Sequence, residues 1–468
     1  MKQRAFDREQ LYLRLPVQLQ HAACSVEGLR AHNRRFGGDF PALLADAEER
    51  SGWTAEQIAE YRDRRLRAFV RSAAASTPYY RRLFADLGLD PASISGLEAL
   101  SQLPILTKDT VQAHYPELIS SNFQPAELIP VHTSGTTGGG LRFATTRRAH
   151  QEQWAVWWRY RRWHGITQDT WCAYFGGRSV VPLTQRRPPY WRYNVPGRQI
   201  LFSGYHMAPD TLDAYIAELR CRRPPWLHSY PSLLALLAAH NLDCSLELGY
   251  QVRWVTIGAE NLLPQQAALI ERAFGVWPRQ HYGMAEAVAN ISECPLGKLH
   301  VDEDFAAVEF LPNPEGPGCR IIGTGFTNPA VPFLRYEIQD LATVDDDGCP
   351  CGRPGRIVAH IDGRHEDYVV LANGSRVGRM DHIFKDLVRI REAQIVQREP
   401  GAMTIRVVPR AGYTQHDEQL LRQETARRVG TEMVVLIEYV DVLPRSKAGK
   451  LRFVISELDA GKLDRITL

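Results

Sequence analysis

The chain lacks any apolar run near the roughly 20 residues that a bilayer crossing requires. Its first residues, MKQRAFDREQLYLRLP, lack the uninterrupted apolar stretch of a signal peptide. It has no excess of one charge: 56 Lys and Arg stand against 53 Asp and Glu, a formal net charge of +3. That balance argues against nucleic acid or a membrane surface as main partner. Eight cysteines in 468 residues are too few for a disulfide framework, and the expected setting is the cytoplasm, where they are thiols or metal ligands. Internal repeats and low-complexity tracts are also absent.

What is present belongs to a folded chain. Hydrophobic residues make up 44% and charged residues 23%, and 468 residues are too many for one compact core, so two or more domains are expected. Basic runs at 159–164 (RYRRWH) and 185–193 (QRRPPYWRY) read as solvated faces or, less often, as contacts to an anionic ligand.

Residues 1–100 read as helical; TAEQIAEYRDRRLRAFVRSAAA carries apolar residues at helical spacing and stops before the proline of STPYY. From 130 onward short β-rich runs (WCAYFGG, RQILFSG, WLHSY, VRWVTIGAE, WPRQHYG) alternate with helical ones (SLLALLAAHNL, PQQAALIERAF). That alternation predicts an α/β fold with a largely parallel, covered sheet, its functional residues in loops at the strands' C-terminal ends. After about 300, FAAVEFLP, CRIIGTGF and LATVDDDGCPCGR read as antiparallel strands and turns, and from about 364 a small α+β module follows.

The stretch HTSGTTGGG, 132–140, holds hydroxyls and glycines and little that could be buried. Between a strand and a helix, such a loop either brings backbone N–H groups and hydroxyls onto a phosphate or is a flexible surface turn. It is no P-loop, since no GK[ST] closes it. HYGMAEA (281–287), LRYEIQDLATV (334–344), IDGRHEDYVVLANGSRVG (361–378) and PRSKAGKLRF (444–453) follow it in order.

Together these five stretches resemble the adenylate-forming ligase superfamily, and within it the phenylacetate–CoA ligase branch. LPILTKDTVQAHYPEL (103–118), GAE (258–260) and CPCGR (349–353) are similar to stretches of that branch. The resemblance implies a large N-terminal domain, 1–363, of mixed, largely parallel covered sheets with a β-rich part at about 300–363. A small mobile α+β lid, 364–468, completes the chain. It also implies a two-step reaction: a carboxylate attacks the α-phosphate of ATP, and a thiol such as coenzyme A, or an amine or carrier-protein arm, then displaces AMP. A non-catalytic nucleotide-binding protein is the third possibility, because Gly139 stands where the family usually has lysine or arginine. Arg142 and Arg147 are the nearby cations that could replace it.

Residue by residue, Thr133, Ser134, Gly135, Thr136, Thr137 and Gly138 match the family's phosphate loop. Gly258, Ala259 and Glu260 match its nucleotide pocket, and Tyr282 the aromatic against adenine, with Gly283 beside it. Glu286 matches the carboxylate that meets Mg²⁺. Asp340 matches the acceptor of both ribose hydroxyls, since one carboxylate has two oxygens to offer. Arg364 matches an arginine at the domain junction, and Glu366 falls at the hinge. Lys450 matches the catalytic lysine that reaches the acyl carboxylate and α-phosphate, so Lys450, Thr136 and Glu286 are the candidate catalytic residues. Arg335 is read either as part of its motif or as pairing with a nearby acid.

Two further sites are expected. Cys294, His300, Cys349 and Cys351 offer three thiolates and an imidazole, a complete set for a structural Zn²⁺, at a spacing unlike the common zinc fingers. Aromatics crowd 154–193, and Tyr174, Phe175 and Gly176 close a strand where a substrate cavity would open. An aromatic or otherwise flat carboxylic acid is the expected substrate.

Overall fold

Local capping signals set the helices. Thr54 accepts from the Gln57 N–H and Gln57 bonds back to Thr54, opening the helix Ala55–Ser76. Pro78 ends it and opens the next helix, Pro78–Leu87, from its first position. The structure is a computed structural model. It describes residues 11–132, 141–177, 180–208, 210–260, 262, 264–314, 318–361, 369–377, 380–384, 387, 389–409, 412–441, 443–444 and 454–458.

The strands, in chain order, begin with β1 (Ile129–His132) and β2 (Arg142–Thr145), an antiparallel hairpin joining through residues 133–140. Then come β3 (Cys172–Gly176), β4 (Trp191–Asn194), β5 (Gln199–Ser203), β6 (Trp226–Ser229), β7 (Trp254–Ile257) and β8 (Arg279–Gly283). They are followed by β9 (Asn290–Glu293), β10 (Leu299–Val301), β11 (Ala306–Pro312), β12 (Cys319–Gly325), β13 (Phe333–Asp345) and β14 (Ile357–Ile361). Strands β3 to β14 make one twelve-stranded sheet in the order β11-β12-β13-β14-β10-β9-β8-β7-β6-β3-β5-β4.

Pairing is parallel from β5 through β3, β6 and β7 to β8, with helices Pro231–Asp243 and Pro264–Phe274 as crossovers. From β8 onward it is antiparallel. The parallel block and the β-rich block, expected as neighbouring sheets that change over near 300, are one sheet that switches between β8 and β9. The reason is length. Residues 284–289 are too few for a parallel crossover, which needs a dozen or more, so the chain can only turn back on itself.

Small strands β15 (Val369–Val370) and β16 (Arg376–Val377) lead to the C-terminal unit. There β17 (Ile390–Glu399), β18 (Ala402–Pro409), β19 (Val434–Tyr439) and β20 (Val454–Ser456) form a four-stranded sheet backed by the helix Gln415–Val429. It has its own core, among it Ile395, Ile405, Val407 and Leu421.

One buried ion pair fixes β13 against β11. Arg335, in the left-handed region at φ 54°, donates from Nε and Nη2 to Glu309 at 2.8–3.1 Å and from Nη1 to the Leu103 carbonyl at 2.5 Å. Arg335 is therefore a structural residue paired with an acid. Replacing it with methionine strands the Glu309 carboxylate in the core. The expected loss is about 3–5 kcal/mol, read from urea denaturation, and the double variant Arg335→Met/Glu309→Leu recovers most of it.

Candidate active site where parallel strands give way to antiparallel

Neighbouring parallel strands β7 and β8 end in GAE (258–260) and HYG (281–283), which places both motifs at the C-terminal edge of the sheet. Gly258 lies close against β8: a Cβ there would stand 3.4 Å from the His281 carbonyl, in van der Waals contact. Across this edge the Tyr282 hydroxyl donates to Asp340 Oδ2 at 2.8 Å, joining residues 58 positions apart. Asp340 lies on β13 beside a break in its pairing with β12, next to Gln339 at φ 69°.

Glu286 sits, half-buried, in the six-residue reversal 284–289. That loop is pressed against β12, where a Cβ at Gly323 or Gly325 would come within 2.3 Å of the Val288 carbonyl or 2.4 Å of the Ala287 carbonyl. Gln153, on the helix Arg147–Trp163, holds the loop from the other side by donating to the Met284 carbonyl at 2.6 Å.

Among the described residues seven non-glycine positions have positive φ, and four of them lie in these motifs: Ala259 (69°), Ala287 (56°), Arg335 and Gln339. Each costs about 1–3 kcal/mol and persists only where its surroundings force it, a distribution typical of functional loops. The described motifs thus converge: 258–260, 281–287 and 339–340 share one edge. Thr133, Ser134, Gly135, Thr136, Thr137, Gly138, Arg364, Glu366 and Lys450 lie outside the described residues. Their hairpin's ends, His132 and Arg142, are paired, and Phe143 meets Phe333 at 5.4 Å, in the core that also holds Tyr282 and Met284. Arg147 donates to the Asn33 carbonyl at 3.0 Å, which leaves it holding a helix end.

A second layer escaped the sequence reading. Trp157 Nε1, only ever a donor, donates to Asn290 Oδ1 at 2.9 Å. That fixes the amide's orientation, so His281 Nε2 also donates to this oxygen at 2.9 Å and Nδ1 keeps its lone pair. Asn290 Nδ2 in turn donates to Asp302, which Arg159 anchors at 2.6 Å. Burial first, and the Arg161 charge second, hold the His281 imidazole down to about 3. Only its place beside Tyr282 could have singled it out.

Of the expected pocket residues, Tyr174 stacks on His228 at 5.3 Å between centroids. Phe175 points to the opposite face and stacks on Phe202 at 4.6 Å within the core. Strand alternation makes this a correction: Phe175 is a core residue. Gly176 is required by Tyr174, whose ring would lie 2.5 Å from a Cβ there.

The four metal-ligand candidates come together. Their ligand atoms all lie within 4.8 Å of one another, with Cys294 Sγ 3.7 Å from Cys349 Sγ and Cys351 Sγ 3.4 Å from His300 Nε2. A tetrahedron with zinc–sulfur bonds of about 2.3 Å has edges of roughly 3.7 Å, so the set fits Zn²⁺. His300 Nδ1 donates to the Pro354 carbonyl at 3.0 Å, leaving Nε2 as ligand. Burial pushes the Cys349 thiol up to about 11. Burial opposes ionisation at Cys351 too, but the Arg353 N–H at 3.4 Å and the other thiols outweigh it and hold that thiol below its ordinary value.

The twelve-stranded sheet with its separate C-terminal unit is the fold of the adenylate-forming ligases. The 2-hydroxyisobutyryl-CoA ligase complex with 2-HIB-AMP and CoA superposes with a TM-score of 0.55 at 20% identity, covering 89% of this chain and 93% of that one. In sequence the chain is similar to Protein CapK of Staphylococcus aureus, 24% identical over 457 residues, 96% of this chain and 99% of that protein. It is also 24% identical over 454 residues to the phenylacetate–coenzyme A ligase of Thermus thermophilus, covering 86% and 96%. Residues 369–457 match the family described as the CapK C-terminal domain. The resemblance to the phenylacetate–CoA ligase branch therefore extends over 86% of the chain.

The buried histidines predict an acid limb in stability. Burial is the leading cause that holds His228 and His281 to about 3 and His164 and His206 to about 4, against about 6.5 unfolded. The unfolded chain binds more protons in that window, so stability is complete above about pH 6.5 and falls as pH drops toward 3. Urea midpoints measured across pH 4–7 should fall with acid, and His281→Gln should flatten the slope.

Proposed function

We propose that this chain is an ATP-dependent, AMP-forming ligase that activates a carboxylic acid, expected to be aromatic, and passes the acyl group to a thiol such as coenzyme A. The Tyr282–Asp340 hydrogen bond carries the reading: it joins two remote motifs at one sheet edge, both residues half-buried. Asp340 then accepts from the ribose hydroxyls while Tyr282 both orients it and lies against the adenine. Glu286 is the residue to hold Mg²⁺, as a half-buried carboxylate suits a hard cation. When bound, the ion neutralises charge on the departing pyrophosphate. Thr136 and its neighbours in the 133–138 loop hold the phosphates by N–H and hydroxyl donation. Lys450 balances charge between acid and α-phosphate, and the unit that carries it turns about Glu366 to exchange one half-reaction for the other.

ATP–pyrophosphate exchange with a panel of carboxylic acids tests adenylation. Asp340→Ala should lower kcat/KM for ATP by roughly 10- to 100-fold, as two charge-assisted hydrogen bonds are lost. Lys450→Ala should abolish acyl-adenylate formation yet let supplied acyl-AMP react with coenzyme A. Equal loss of both half-reactions would contradict its role, and product masses with coenzyme A or amines identify the acceptor.

Cys294, His300, Cys349 and Cys351 would hold one Zn²⁺ as a structural clasp between the β9–β10 turn and the β13–β14 connection. Metal analysis of protein purified without chelator should return about one zinc per chain, and Cys349→Ser/Cys351→Ser should lose it together with thermal stability. Zinc-free protein of full stability would end the proposal.

A further inference from the structure

Three arginines close the helix Arg147–Trp163, and two of them have carboxylates. Arg159 meets Asp302 and Asp304 at 2.6 Å, and exposed Arg162 meets Glu48 at 2.7 Å. Arg161 has none among the described residues. Of its five N–H donors one reaches the Trp157 carbonyl at 3.3 Å, and Nε is enclosed with no partner. Its guanidinium is instead caged by the faces of Trp158, Trp226 and Trp154 at 5.0, 5.6 and 5.8 Å. Those faces stabilise the charge but accept no hydrogen bond in the plane of the fork. An enclosed cation with open donors is costly unless something else completes it.

Its surroundings indicate what completes it. Parallel strands covered on both faces ordinarily read as continuous apolar runs. Here Tyr174, His228 and Thr256 are register partners across β3, β6 and β7 and form a polar row, with His228 Nδ1 2.8 Å from Thr256 Oγ1. On β8 the register partner of Thr256 is Arg279, and His281 lies two residues further along the strand. The Arg161 charge reaches His228 and His281, which are kept neutral and so do not repel it, while burial is the larger cause of their low values. This row runs beneath the strand ends where the acid is expected, one residue from Tyr282.

We propose that the acid this chain activates carries a second anionic group, a carboxylate in its simplest form, and that Arg161 receives it by fork-to-carboxylate hydrogen bonds between the tryptophan faces and the Tyr174–His228 row. The inference rests on the ligase reading and narrows its substrate from a flat acid to a dianionic one. The planar guanidinium fits a carboxylate with two parallel hydrogen bonds.

The test compares matched acids in ATP–pyrophosphate exchange: phenylacetate against 4-carboxyphenylacetate, and benzoate against terephthalate. The wild-type chain should prefer the second of each pair by at least tenfold in kcat/KM. Arg161→Ala should lose that preference chiefly through KM, and Arg161→Lys should keep part of it. A wild-type preference for the monoacids, or an Arg161→Ala chain that keeps the diacid preference, overturns the inference. If Arg161→Ala does not fold, the wild-type ratio and Arg161→Lys decide. Tryptophan fluorescence without ATP gives an independent reading, since the cage reports on its occupant. 4-Carboxyphenylacetate should give a saturable change that Arg161→Lys weakens, and no change in the wild-type chain overturns the site. Saturation without exchange on any acid would refute the ligase reading and leave the anion site standing. Strong phenylacetate exchange untouched by Arg161→Ala would do the reverse.

Discussion

Six residues between β8 and β9 govern this molecule. Residues 284–289 are too short to cross over and must turn back, so the parallel and antiparallel halves become one sheet. The turn must then lie against β12, which only Gly323 and Gly325 permit, because any side chain at either would run into backbone at under 2.5 Å. Glu286 comes to the sheet edge as a result, and Ala287 takes its left-handed conformation. The Tyr282–Asp340 bond closes the arrangement from the other side.

Around that turn the protein places charge in the interior and neutralises nearly all of it. Arg50 and Arg159 share Asp304, Arg159 also takes Asp302, and Arg62 and Arg356 share Glu303. These pairs tie the N-terminal helices to the strand ends, where geometry counts for more than net stabilisation, since burial costs much of what pairing returns. Burial holds Asp302 up to about 6 despite Arg159, while Arg159 and Arg50 keep Asp304 well below the usual carboxylate range against the opposing effect of burial. Among the described residues buried Arg192 also has no carboxylate, but Gln20, Gln185 and two carbonyl oxygens meet its donors, whereas Arg161 has only the Trp157 carbonyl.

Much of the fold was legible because periodicity and punctuation carry it. WCAYFGG, RQILFSG, WLHSY, VRWVTIGAE and WPRQHYG are β3, β5, β6, β7 and β8, and the helix over 55–76 stops at the proline as read. Strand β4 was hidden inside a basic, proline-flanked run, and β2 follows the glycine loop with only four residues. The convergence of the candidate site was legible where motifs mark it, at Tyr282, Glu286 and Asp340, which the fold brings to one sheet edge. It was not legible where contact alone defines it. Trp157, Asn290 and Asp302 are remote in sequence and join only when the helix packs on β9, and Phe175 needed the strand's alternation to be assigned to the core.

The helix Arg147–Trp163 runs past each part of the candidate site. Thr146, its cap, follows directly on the hairpin that carries 133–140, while Gln153 grips the Met284 carbonyl and Arg161 faces the polar row at the far end. Seventeen residues make a rod of about 25 Å. In the proposed ligase, nucleotide near one end and acid near the other would share this strut, and any coupling between them would be reciprocal, each changing the other's affinity by one and the same factor.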